Sequence, residues 1–177
     1  MIRITREASL SAAEIQAADF SFDVTEEAGP PFDGTALART VAVQPYRKSY
    51  GFDPALLADA PAQGKRLLAA ARDDGRLLGY LLATPGWNGF ASINDFAVAR
   101  DARRLGLGRR LMDEALLWTG EMGLRGLRAE TQSNNVPACR FYEASGFRLG
   151  GFDRHLYDAL GQERHETALF WYRFLTG

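Results

Sequence analysis

The stretch Arg103-Arg104-Leu105-Gly106-Leu107-Gly108 constrains this chain more tightly than any other. It follows an apolar run over residues 90–98 with strand character, and it opens a helix. Leu107, Leu111, Ala115, Trp118 and Met122 recur at steps of four, four, three and four, which puts them on one helical face, and Gly123 supplies the stop. Glycine lets a backbone come close to a ligand and take conformations closed to other residues. Free amides at a helix start favour an anion, and successive amides in such a bend form a nest for one. Within residues 98–112, Arg100, Arg103, Arg104, Arg109 and Arg110 stand against Asp101 alone, five positive charges to one negative. A strand, an arginine-glycine bend and an amphipathic helix in this order predict a seat for a pyrophosphate. Two other phosphate loops fail on detail. The P-loop requires Lys and then Ser or Thr after its last glycine, whereas Gly108 is followed by Arg109 and Arg110. The dinucleotide fingerprint requires a third glycine where this chain has Leu111.

The remaining composition sets bounds. A length of 177 residues, without internal repeat, low-complexity tract or linker, predicts one domain over 1–177. Hydrophobic residues make up 46% of the chain, enough for a sizeable core. A net charge of -1 argues against a general nucleic-acid binder. The one cysteine, Cys139, excludes an intramolecular disulfide, and with only His155 and His165 beside it no metal site is expected. No apolar stretch of signal-peptide length opens the chain and no run of about 18 apolar residues occurs, so a cytoplasmic protein without membrane contact is expected. Residues 1–33 hold seven acids against Arg3 and Arg6, the reverse of the basic bend.

Strand-like alternation runs over 20–27 and 38–46, with Gly29-Pro30-Pro31 as the breaker between them. Asp53-Pro54 ahead of Ala55, Leu56, Leu57 and Ala60 predicts a short helix. Residues 65–72 and 76–84 predict a hairpin closed at Asp74-Gly75. A turn over 85–89 leads into the strand at 90–98. After the long helix come a strand over 127–131, a helix started by Asn134-Asn135 ahead of Pro137 and stopped at Gly146, and strands over 147–157 and 167–175. The sum is an α/β (α+β) chain with a mixed sheet flanked by helices.

These residues resemble the GNAT acetyltransferases. Arg103-x-x-Gly106-x-Gly108 is similar to that family's Arg/Gln-x-x-Gly-x-Gly/Ala coenzyme A loop. Asn135-x-x-Ala138-x-x-Phe141-Tyr142-x-x-x-Gly146-Phe147 is similar to its second signature, and the two together cover about residues 90–150. One branch, the streptothricin acetyltransferases, is resembled further. The segments are Pro45-Tyr46-Arg47-Lys48-Ser49-Tyr50, Trp87-Asn88, Glu130-Thr131-Gln132-x-Asn134-Asn135, Leu156-Tyr157 and Ala168 to Phe174. The resemblance implies a mostly antiparallel central sheet of about seven strands with splayed central strands, acetyl-CoA as donor and coenzyme A as product. It also implies a small cationic amine as acceptor, in this branch the β-lysine part of an antibiotic, and a monomer or homodimer. The same reaction on a protein N-terminus, a lysine side chain or a polyamine is the alternative, and an acyl-coenzyme A sensor without turnover is a third.

The resemblance also assigns roles. Tyr142 takes the place of the family's proton donor to the leaving thiolate. Glu130 and Asp95 compete as the base, Glu130 at the end of its strand and Asp95 beside Asn94 on the preceding one. A β-bulge is implied on that strand, leaving backbone groups of Phe96, Ala97 and Val98 to pair with the pantetheine arm. Arg103, Arg104, Leu105, Gly106, Leu107, Gly108 and Arg109 would cradle the pyrophosphate, and Asn135, Ala138 and Tyr142 would meet the rest of the coenzyme. Asn135 serves equally as a helix cap. On the acceptor side, Tyr46, Tyr50, Trp87 and Tyr157 offer walls and cation–π contacts, and Asp153 a carboxylate. Acids among the first 33 residues are further candidates.

Overall fold

The computed structural model describes residues 1–51, 65–160 and 165–175; the helix predicted after Asp53-Pro54 lies outside them. The elements run β1 (Arg3–Arg6), α1 (Ala12–Gln16), β2 (Phe22–Gly29), β3 (Arg39–Lys48), β4 (Leu67–Asp73), β5 (Arg76–Pro85), β6 (Phe90–Val98), α2 (Leu107–Glu121), β7 (Gly126–Gln132), α3 (Val136–Ala144), β8 (Arg148–Asp153) and β9 (Ala168–Phe174). Seven strands form one mostly antiparallel sheet, and β2 and β3 form a separate pair. The chain divides into two compact units, one of Met1–Phe22 with Ser49–Leu127, the other of Asp23–Lys48 with the segment from Arg128 onward. The first contributes β1-β4-β5-β6 to the sheet in that order, the second β7-β9-β8. No helix among the described residues is long and apolar enough to cross a membrane.

In the first unit the β4–β5 hairpin turns at Asp74 and Gly75, whose φ angles of 46° and 84° are both positive, as this two-residue turn requires. Residues 77–83 of β5 are all buried, the mark of a strand covered on both faces. α1 covers a cluster of Leu10, Ile15, Leu68, Ala70, Leu77, Tyr80 and Leu82. α2 packs on β4, β5 and β6 through Leu107, Leu111, Met112, Ala115 and Trp118, and each large apolar side chain so buried stabilises by about 2 kcal/mol. Gly79 lets β5 and β6 approach: a Cβ there would fall 2.8 Å from the Ala97 carbonyl oxygen.

Two elements at the N-terminal end were not predicted. β1 has four residues and is held by its register on β4, from Arg3 opposite Arg72 to Arg6 opposite Ala69. α1 has five and depends on a capping box in which the Glu14 amide donates to Ser11 Oγ and the Ser11 amide donates to Glu14 Oε2. That box, first through the Ser11 hydroxyl and then its amide, with Arg72 adding to it, holds the Glu14 carboxyl down at about 2.

β6 carries a bulge. Asp95 faces Leu82 and Ile93 faces Ala83, so Asn94 is the extra residue. In the second unit β8 has a similar irregularity, with Gly150 left between the pairs Leu149–Trp171 and Gly151–Phe170. β8 stops at Asp153 rather than running to residue 157 as predicted. The Asp153 carboxylate accepts from the His155 amide at 2.7 Å, a local turn that competes with further pairing.

Candidate active site

The basic bend lies in the first unit. Arg104 takes a left-handed conformation with φ 63°, and Gly106 takes another with φ 76° as the cap of α2. An L side chain at the latter would be strained, although the space around it is open. Because the cap is glycine, no side chain accepts from the first amides of α2. No acid occupies its first turn either, and Arg109 and Arg110 stand at the positive end of the helix dipole. That placement is unfavourable by roughly 0.3–1 kcal/mol per charge, and an anion at the same amides reverses its sign. Arg104, Arg109 and Arg110 are exposed. Arg103 is placed differently. Its Nε donates to the Val98 carbonyl at 3.1 Å, and its Nη2 donates to those of Phe20 and Ser21 at 3.1 and 2.7 Å. This guanidinium braces the bend against the end of β6, the segment bearing Phe96, Ala97 and Val98.

Asp95 is on that strand, past the bulge. Its carboxylate accepts from the Tyr80 hydroxyl at 2.8 Å. Burial pushes the Asp95 carboxyl up, against the lowering pull of Tyr80 and the Phe96 amide, and burial with the Asp95 charge pushes the Tyr80 phenol up strongly. Tyr50 rests its ring 5.4 Å from that of Phe22. Trp87 is 99% exposed on its turn.

The second unit holds the other candidates. Tyr142 is buried in α3 among the rings of Phe141, Phe147 and Trp171, at 5.6, 5.0 and 6.5 Å between centroids. Trp171 is itself fixed by its indole N–H on Thr131 Oγ1 at 2.9 Å. A phenol held on three sides is a positioned phenol. Glu130 is exposed on β7, and its Oε1 accepts from the Tyr157 hydroxyl at 2.6 Å. Asn135 caps α3, its side-chain oxygen accepting from the Ala138 amide at 3.2 Å. Tyr46 accepts from the Asn134 amide group at 3.0 Å and donates to Glu27 Oε1 at 3.4 Å. Asp153 serves its own turn.

The structure thus joins the bend with the end of β6 in one unit. In the other it joins Glu130 with Tyr157, and Tyr46 with Asn134. Most acids among the first 33 residues are already partnered within their units: Glu7 with Arg72, Glu14 with Ser11, Asp19 with Ser21, Asp23 with Arg47, Glu26 with Arg140. Sequence reasoning missed the pairing of Lys48 with Glu166, whose partners are 118 residues apart. No group of three or more His, Cys, Asp and Glu among the described residues could hold a metal.

Comparison with known proteins agrees with this architecture. The chain belongs to the acetyltransferase (GNAT) family, whose pattern matches residues 33–147. It is 38% identical over 135 residues to a streptothricin acetyltransferase of Escherichia coli, covering 76% of this chain and 74% of that one. It is 35% identical over 129 residues to streptothricin acetyltransferase A of Bacillus subtilis, covering 73% of each. A crystal structure of a Bacillus anthracis protein in complex with acetyl coenzyme A superposes with a TM-score of 0.81 at 29% identity over 99% of both chains. The chain is therefore an acetyl-CoA-dependent N-acetyltransferase. Its residues fit that donor. The uncapped amides of α2 and the exposed arginines beside them suit a diphosphate, and the glycine cap keeps the approach clear.

Proposed function

We propose that this enzyme acetylates a primary amine of a small cationic substrate, the β-lysine amine of streptothricin, by direct attack within a ternary complex. The support on the acceptor side is the naming of the two curated relatives and the fold shared with the Bacillus anthracis protein. The observation that carries the chemistry is the exposed Glu130 carboxylate held by the Tyr157 phenol.

A lysine-like amine has an ordinary pKa of about 10.4, so roughly one molecule in a few thousand is neutral at pH 7. Glu130 takes the ammonium proton, and its exposure lets it pass that proton to water. The neutral nitrogen attacks the acetyl carbonyl; a C–N bond forms, the C–S bond breaks, and the nitrogen gives up a second proton to water as the neutral amide forms. Coenzyme A departs as a thiolate and takes a proton from the Tyr142 hydroxyl, which regains one from solvent. Asp95 is the weaker base candidate, because its carboxylate is turned to Tyr80 and partly buried. The amides of Arg104, Leu105, Leu107, Gly108 and Arg109 hold the diphosphate, Asn135 and Ala138 meet the coenzyme's arm, and Tyr46 and Tyr157 line the acceptor side.

The test is an acceptor panel read by coenzyme A release. Streptothricin, polyamines, lysine-containing peptides and peptides with free N-termini are compared at equal concentration. Streptothricin should give the highest kcat/KM. Acetylation of peptides without turnover of streptothricin would reject the assignment.

A further inference from the structure

Five polar side chains from four separate segments of the second unit form one connected network. Lys48 Nζ donates to Glu166 Oε1 and, at 3.5 Å, to Asn134 Oδ1. Asn134 Nδ2 donates to the same Glu166 oxygen at 2.6 Å and to the Tyr46 hydroxyl at 3.0 Å, and Tyr46 passes its own proton toward Glu27. Asn134 and Glu166 are buried, at 1% and 6% exposure, and the Lys48 side chain is 15% exposed. Two segments set apart in the sequence analysis, Pro45 to Tyr50 and Glu130 to Asn135, meet here.

A buried ion pair contributes little net stability compared with an apolar pair of the same volume, because desolvation offsets the attraction. What it does fix is geometry. The network closes on the loop that joins β7 to α3. The backbone of that loop is pinned as well: Ser133 exchanges both of its backbone bonds, its amide donating to Thr167 and its carbonyl accepting from Ala28, and its hydroxyl accepts from the Thr167 amide. Asn135, the next residue after Asn134, caps α3, and Tyr142 lies on that helix seven positions further. Any slip of Asn134 turns the start of the helix and moves the phenol with it.

We propose that Lys48, Asn134 and Glu166 are positioning residues for acetyl transfer, holding the Ser133–Asn135 loop so that Tyr142 stays aimed at the departing sulfur. The inference rests on the reading of Tyr142 as proton donor. Misplacement of a catalytic group by about an ångström lowers turnover up to a hundredfold while leaving remote binding intact. Lys48→Met leaves the Glu166 carboxylate buried without its counter-charge, and Glu166→Gln added to it removes that charge while keeping an acceptor for Asn134.

The experiment measures kcat, coenzyme A Kd and thermal midpoint for Lys48→Met, the double variant Lys48→Met/Glu166→Gln, Asn134→Ala and Tyr142→Phe. Lys48→Met and Asn134→Ala should lower kcat about tenfold or more with coenzyme A Kd within about twofold of the parent, and the double variant should recover most of that kcat. Asn134→Ala leaves the ion pair in place, so it decides the matter if Lys48→Met does not fold. Parental kcat in folded Asn134→Ala, or a double variant that regains its thermal midpoint but not its turnover, overturns the proposal. Tyr142→Phe separates the two readings. If it is defective and Asn134→Ala is not, only the positioning role falls; if it turns over at the parental rate, the donor role falls and takes the positioning role with it.

Discussion

Among the described residues, the strand–turn–helix segments β6–α2 and β7–α3 finish their helix starts in opposite ways. β6 passes through the basic bend into α2, which begins on a left-handed glycine with no side-chain cap. β7 passes through a pinned loop into α3, which begins on Asn135 with its oxygen on the Ala138 amide and Pro137 in the first turn. The first start has no side-chain cap; the second satisfies its own amide through Asn135. A backbone anion site needs empty donors, and glycine is the residue that empties them. A site that works through side chains needs a helix that does not move, and Asn with Pro supplies that. On the proposed reading, one start receives the diphosphate and the other aims Tyr142.

Variants that exchange these properties should separate binding from chemistry. The largest effect is expected on the self-capped side. Tyr142→Phe should lower kcat by about a hundredfold, the usual size for a lost proton donor, and leave coenzyme A affinity nearly unchanged in calorimetry. Gly106→Val should act on the other side. A β-branched residue at φ 76° is strained by roughly 1–2 kcal/mol, and the acetyl-CoA KM should rise about tenfold with kcat less affected. A kcat defect without a KM change at Gly106 would collapse the distinction between the two starts.

Asp95→Asn gives a smaller effect that reads pH. Burial raises the Asp95 carboxyl in the folded state, so folding favours its protonated form more than the unfolded chain does. The stability it contributes is complete below the unfolded carboxylate range, about pH 4, and is lost as pH rises through the folded value. The amide cannot ionise and still accepts from Tyr80. The variant should match the parent near pH 4 and melt higher near pH 8, with turnover within a few-fold of the parent. A loss of activity as large as that of Tyr142→Phe would return the base role to Asp95. The smallest effect is expected at Ser11→Ala, which removes the α1 cap and should cost about 1 kcal/mol, a few degrees of thermal midpoint, with kinetics unchanged.

Legibility from sequence divided along the same physical line. Features set by local backbone demands were readable. Gly106 and the Asp74-Gly75 hairpin appear because left-handed residues leave a compositional mark, and α2 appears because its buried face repeats. β1 and α1 were missed, although Ser11 and Glu14 carry the spacing of a capping box; four- and five-residue elements are too short for periodicity to register. A bulge was expected only from the family resemblance, and its place at Asn94 comes from the register, since nothing local distinguishes it from regular strand. The side-chain bonds were illegible because their partners are distant in the chain: Arg103 finds carbonyls 82 and 83 residues away, and Lys48 finds Glu166 across 118. Arg103, expected at the phosphate, donates to the Val98, Phe20 and Ser21 carbonyls and so braces the bend.

We propose that the open amides of α2 take the diphosphate of the coenzyme. Backbone amide NMR on the labelled protein, titrated with coenzyme A, reads it directly. The amides from Arg104 to Arg109 should shift most, while those of α1, Ala12 to Gln16, move little. Large shifts elsewhere with the Arg104–Arg109 amides unmoved would contradict it.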